Sequence, residues 1–383
     1  MERRKQDPAR VRQMLDKVFR GDVHATRVLS IANTVAAVMV AASVAIHAIG
    51  QALAKVTGIT PKSGIKQVDR LLSNTGFTMD AFFRLWVRFV VGVRQQIVVA
   101  LDWTEFDADT HSVLCAYLVT RHGRATPLVW KTHDKSTLKN NQKQLEQDLI
   151  ASLHEMLDPS IGITLLADRG FGDKGFYEFL MFLGWDYVVR FRGNILVVSA
   201  DGQSRPAAAW LGPRARPVKL TRARVTADQF EVPAVVIVWD KKMKEPWCLA
   251  TSLDGRTASE TIKLYGRRFT IEETFRDQKD LHFGMGLKAT HIHKPHRRDR
   301  LLMLLAIAHA LLCLLGAAAE EVGLDRILRA NTVKRRTHSL YRQGRYWYDC
   351  IPTMRIEWFR PLIEAYDRII REHQVFTEIF GVI

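Results

Sequence analysis

Gln96-Ile97-Val98-Val99-Ala100-Leu101-Asp102-Trp103-Thr104 is an apolar run that closes on an acid. Its β-branched and aliphatic residues predict a buried strand ending at Asp102. Ile161-Gly162-Ile163-Thr164-Leu165-Leu166-Ala167-Asp168-Arg169-Gly170 repeats the design. Burying a carboxylate is costly unless a cation or hydrogen-bond donors stand nearby. In an α/β sheet, ligands collect at strand ends. Asp102 and Asp168 are therefore candidate ligand-holding acids; turn initiation or helix capping is the ordinary alternative.

A third acid lies in Tyr265–Lys279, which reads Y-G-R-R-F-T-I-E-E-T-F-R-D-Q-K. If this segment is one helix, Tyr265, Arg268, Glu272 and Lys279 fall within an arc of about 60°. One face then carries a carboxylate among a phenol, a guanidinium and an ammonium. A solvated helix with ordinary ion pairs would need no such coincidence with two upstream acids. Asp102, Asp168 and Glu272 together suit Mg²⁺ or Mn²⁺, hard cations that prefer oxygen ligands. Two such ions about 4 Å apart clamp the attacking and leaving oxygens of a phosphodiester. Arg268 and Lys279 would hold flanking phosphates, and Tyr265 would donate to a phosphate oxygen.

These acids and the Y-(2)-R-(3)-E-(6)-K spacing resemble a bacterial DDE transposase of the insertion-sequence-four type. The resemblance extends from about residue 95 to 310. It implies an RNase H-like core and cut-and-paste transposition of DNA with two divalent metal ions, Mg²⁺ or Mn²⁺. It implies that Asp102, Asp168 and Glu272 are catalytic metal ligands, with Tyr265, Arg268 and Lys279 in the family's DNA-binding positions. It also implies that Trp247, in a strand before the Glu272 helix, stacks on a flipped base in a hairpin intermediate. Trp239 is the competing candidate. Arg169, beside Asp168, is a candidate phosphate contact, with a salt bridge as the alternative.

Composition agrees with a polyanionic partner. Lys and Arg number 56 against 40 Asp and Glu, a formal charge of +16, which favours fast, salt-sensitive association with double-stranded DNA. Hydrophobic residues at 47% indicate a folded chain. Cys115, Cys248, Cys313 and Cys350 are widely spaced and read as thiols of a reducing cytoplasm. His291, His293 and His296 form a basic loop that lacks a nearby fourth zinc ligand. The apolar run Val35 to Ile49 is too short to span a bilayer, and the chain is expected to be soluble.

The expected layout is α/β. Residues 1–94 read as an all-α DNA-binding domain. Within it, 45–74 is helix, Gly-containing turn, helix, resembling a helix-turn-helix with Lys62, Lys66 and Arg70 toward DNA. Residues 95–194 give strand, hairpin (Val113–Thr120 and Thr126–Trp130), a helix from Ser136 to Leu157, strand, helix and strand. Residues 195–256 form a β-rich insertion. Residues 257–322 complete the core with the Glu272 helix and an apolar helix from Arg297. Residues 323–383 are basic and aromatic, fitting DNA contact or dimerisation. Because transposition brings two ends together, a homodimer on DNA is expected. The competing readings are a nuclease that cuts without joining and a DNA-binding regulator or inactive copy that does not cut.

Overall fold

A computed structural model describes residues 8–19, 23–76, 78–212, 216–241 and 243–372. Its centre is the strand Gln96–Phe106 (β1). Following it are the antiparallel strands His111–Val119 (β2) and Ala125–Asp134 (β3), then the helix Gln142–Met156 (α6). Gly162–Ala167 (β4) runs parallel to β1, Lys174–Phe182 (α7) crosses over, and Asp186–Phe191 (β5) runs parallel to β4. The order β3-β2-β1-β4-β5 forms one half of a ten-stranded sheet.

The other half comes from the region read as an insertion: Leu196–Val198 (β6), Ser204–Pro206 (β7), Val218–Val225 (β8), Phe230–Val238 (β9) and Trp247–Thr251 (β10). These strands continue the same sheet, because β10 pairs antiparallel with the free edge of β5, Cys248 opposite Phe191. Covering that edge removes an unpaired row of amides and carbonyls.

Asp102 does not end its strand. The parallel ladder to β4 stops at Leu101↔Ala167, but antiparallel pairing with β2 continues to Phe106↔His111. The acid therefore marks the end of one ladder, not of the element. The helix expected from Ser136 begins at Gln142; a short 3₁₀ turn, Lys135–Thr137, occupies the start.

Among the described residues, five helices precede the sheet: Pro8–Phe19 (α1), Ala25–Ala41 (α2), Ile46–Thr57 (α3), Pro61–Ser73 (α4) and Met79–Val91 (α5). Val11, Met14, Leu15, Val18 and Phe19 are all buried, as their spacing predicts. Residues 45–74 fold as α3, a turn at Gly58 (φ +77°) and α4, an arrangement that a plain helical hairpin shares. Thr60, not Ser63, caps α4 by accepting from the Ser63 amide. Gly50 and Gly64 let the two backbones touch, since a Cβ on either would strike the opposite chain. In α5, Trp86 donates its indole N–H to the Pro127 carbonyl at 2.7 Å, tying the helices to β3.

After the sheet come Ala258–Gly266 (α8), Phe269–Lys279 (α9), Pro295–Glu321 (α10), Leu340–Cys350 (α11) and Ile356–Arg371 (α12). The 27-residue α10 is long and apolar enough to cross a membrane, yet 94% of its apolar window is buried inside the protein, packed against α11, α12, α2 and β3. The aromatic residues expected on a nucleic-acid surface mostly turn inward. Tyr341, Trp347 and Tyr348 are buried, whereas Tyr346 is exposed. Those three pack the tail onto the core, leaving the basic residues Lys334 and Arg335 outside.

Candidate active site

The parallel ladder sets the first two acids side by side. Asp102 follows Leu101 and Asp168 follows Ala167, and Leu101 and Ala167 are register partners. Asp168 turns the chain out of β4 and accepts the Gly170 amide at 2.8 Å. That is the capping role of an ordinary turn aspartate, held at the sheet's ligand-binding end.

The third acid arrives on a broken helix. Tyr265 to Lys279 is not continuous: α8 ends at Gly266 and α9 begins at Phe269. At this joint the Arg268 amide donates to the Tyr265 carbonyl at 2.9 Å and the Ile271 amide to the Arg268 carbonyl at 3.0 Å. These are three-residue bonds of the tighter 3₁₀ kind, beside a glycine, a poor helix former. The single 60° arc is lost, yet three of its four members still meet. Arg268 donates to Asp102 Oδ2 at 3.0 Å and to Glu272 Oε1 at 2.5 Å. The Tyr265 phenol lies within the field of the same guanidinium, whose charge lowers its pKa against the effect of burial. Lys279 goes elsewhere: its ammonium donates to the Glu105 carbonyl at 3.0 Å and lies 4.4 Å from the centre of the Phe106 ring. Arg298 covers that ring at 4.1 Å.

Electrostatics show how close the acids stand. Burial is the largest of the effects that together push Asp102 up to about 6. Arg268 opposes the rise, and the Asp168 and Glu272 carboxylates add to it. Burial also raises the Tyr265 phenol, to about 12. Among the described residues, no three His, Cys, Asp or Glu side chains form a ready metal group. Arg268 instead bridges Asp102 and Glu272. The donor set itself, three carboxylates, is right for a hard divalent ion. Such an ion would require Arg268 to release one acid.

Trp247 lies at the start of β10, its ring 5.0 Å from Tyr265 edge-on and 5.6 Å from Phe269 in a stack. Phe269, absent from the sequence reading, is 38% exposed; only the break in the helix brings it there. Trp239 is 49% exposed and donates to the Met243 carbonyl at 3.2 Å. Arg169 pairs with Glu245 at 2.8 Å, and Arg190 reaches the same carboxylate at 2.7 Å. Neither Arg190 nor Glu245 carries a spacing signal, since their meeting depends on β10 joining β5. Lys62, Lys66 and Arg70 form an exposed row on α4, remote in sequence from the acids.

No curated protein matches this chain. The model of the transposase DDE domain matches residues 94–311, from the residues leading into β1 to the middle of α10, and takes in all three acids. With more than half of its 383 residues inside that match, the chain belongs to the transposase DDE domain family.

Proposed function

We propose that this transposase is of the insertion-sequence-four type and moves DNA by cut-and-paste, cleaving at terminal inverted repeats and joining the freed 3′ ends to target DNA. The observation that carries the reading is Asp102 and Asp168 at adjacent strand positions, joined by Glu272 through Arg268. The strand order β3-β2-β1-β4-β5 supports an RNase H-like core. Asp102, Asp168 and Glu272 would hold Mg²⁺, with Mn²⁺ as a substitute. Bound there, the cations would supply Lewis acidity to the phosphodiester oxygens.

The chain's own residues have separable tasks. Arg268, once released from a carboxylate, is a two-pronged donor for a phosphate, and the Tyr265 phenol would add a third donor beside it. Trp247 and Phe269 offer an aromatic stack beside the acids on which an unpaired base of a hairpin intermediate would rest. Arg169 would exchange Glu245 for a phosphate, and Lys279 would contact the strand beyond the acids. Lys62, Lys66 and Arg70 on α4 would hold the terminal repeat, with 1–94 as the DNA-binding domain and the C-terminal region as DNA or dimer contact. A homodimer on DNA, in the cytoplasm, would bring the two ends together.

The test is cleavage of a labelled duplex bearing the element's terminal repeat, with Mg²⁺, Mn²⁺ or EDTA. The wild type should nick at the repeat boundary only with metal. Glu272→Gln should lose nicking and keep DNA binding. Binding without cleavage by the wild type in either metal would leave a DNA-binding regulator or inactive copy instead.

A further inference from the structure

The two arginines of the α8–α9 joint serve opposite sides. Arg268 reaches the acids. Arg267 lines a cavity of about 420 Å³ between α8 and the starting ends of β1 and β4, with Gln96, Gly162, Arg256 and Lys263 among its walls. The acids stand where the β1–β4 ladder finishes, just past Leu101 and Ala167. From Ile97 to Asp102 is five residues, roughly 17 Å of strand.

The cavity lining carries more positive than negative charge. Arg94, Arg256, Lys263 and Arg267 line it, against Asp186 and Glu260. Both acids are already engaged: Asp186 accepts from the Ser252 hydroxyl at 2.8 Å, and Glu260 accepts from the Thr257 amide and hydroxyl, each at 2.8 Å. Arg94 donates to the Val90 and Val91 carbonyls. Arg267 differs, because its Nη1 is buried with no hydrogen-bond partner. Burial lowers its pKa, and the nearby Arg121 and Arg256 lower it further. A buried guanidinium N–H without an acceptor is costly. Three cations facing one space make an oxyanion the ligand that would offset the cost.

We propose that this cavity binds a phosphate oxyanion through Arg267, Arg256 and Lys263, and that the phosphate belongs to the DNA backbone away from the cleavage site. The identification of DNA as its source rests on the function proposed above. A DNA strand carries a phosphate at every nucleotide, so a duplex held at the acids has further phosphates to offer the cavity. Arg267 and Arg268 are consecutive. A phosphate on Arg267 therefore fixes the turn that aims Arg268, which makes Arg267 a positioning residue for the acid cluster.

The experiment is a binding titration of labelled duplex with the full chain in EDTA, repeated over a series of salt concentrations. Arg267→Gln and Lys263→Gln should each weaken binding and make the slope of log affinity against log salt shallower by about one. Arg267→Lys, which keeps the charge, should recover the wild-type slope. Lys263 is exposed, so its variant guards against a folding defect. A parallel arm follows thermal unfolding with added inorganic phosphate, which should stabilise the wild type more than Arg267→Gln. A phosphate effect with an unchanged DNA slope would assign the cavity to a free phosphate and overturn the DNA source. Absence of both effects would overturn the site. Every readout is binding without metal, so its failure leaves the cleavage test standing. A chain that binds phosphate here but no DNA would instead count against the DNA reading.

Discussion

Arg268 carries more of the site than any acid. Its guanidinium side chain is 6% exposed and spans Asp102 and Glu272, so it neutralises charges that would otherwise repel. Removing one partner of a buried pair leaves the other uncompensated, at a cost of about 3 kcal/mol. Arg268→Ala should therefore lower thermal stability in EDTA. Because the arginine and a divalent ion share the same carboxylates, the variant should also gain more stability from Mg²⁺ than the wild type, by a few degrees. Equal Mg²⁺ responses in differential scanning fluorimetry would show that they do not compete. At this scale the sequence was legible for the acids, because an apolar run closing on Asp102 or Asp168 has few other uses. It was less legible for the cations. A side chain's direction depends on the backbone beneath it, and Arg267, Arg268 and Lys279 separate only once the helix breaks.

Elements were legible wherever the pattern was local. The alternating strands and helices of 95–194 follow from hydrophobic runs and turn residues, and the short strands of 195–256 mostly fall where β-branched residues cluster. Their membership of the central sheet was not legible, because β5 and β10 meet across more than fifty residues of chain. The inward turn of Tyr341, Trp347 and Tyr348 has a similar origin. Basic neighbours suggest a surface, but the helix they share is pressed onto α10 at Gly344 and Gly316. A Cβ on Gly344 would overlap the Leu312 carbonyl, and one on Gly316 the Leu340 carbonyl. Backbone cannot yield as a side-chain tip can, so Gly344→Ala should cost about 3 kcal/mol or more by forcing the helices apart. Gly255→Ala, where the added methyl meets open space, should be close to neutral. Urea unfolding of the two variants makes the comparison, and a mild Gly344→Ala would mean that the α10–α11 contact is looser than its geometry.

Across the whole molecule, one polar tie joins the layers that carry the acids to the layers that back them. Arg124, from the turn before β3, donates to Asp277 of α9 at 2.5 Å. Asp277 faces His309 of α10 at 3.5 Å, and the His309 ring stacks on Tyr341 of α11 with centres 4.8 Å apart. Burial alone would lower the His309 pKa, but its contacts with Cys313 and Asp277 outweigh burial and push it up to about 10. A histidine raised above its ordinary value of about 6.5 adds stability that is complete below that pH and is lost as pH rises through the folded value. Asp277 is shifted down, chiefly by His309 and Arg124 against the effect of burial, so its own contribution is lost only in acid. Asp277→Asn leaves His309 without its carboxylate and Arg124 with only Glu273, at 3.8 Å, and should cost about 3 kcal/mol near pH 6. The cost should shrink toward pH 9, as the wild type loses the histidine's share and the variant has none to lose. Denaturant unfolding of both proteins at the two pH values reads this directly. A penalty of the same size at both would place the stabilisation in the Arg124–Asp277 pair alone and leave His309 a neutral packing residue between the catalytic helix and its support.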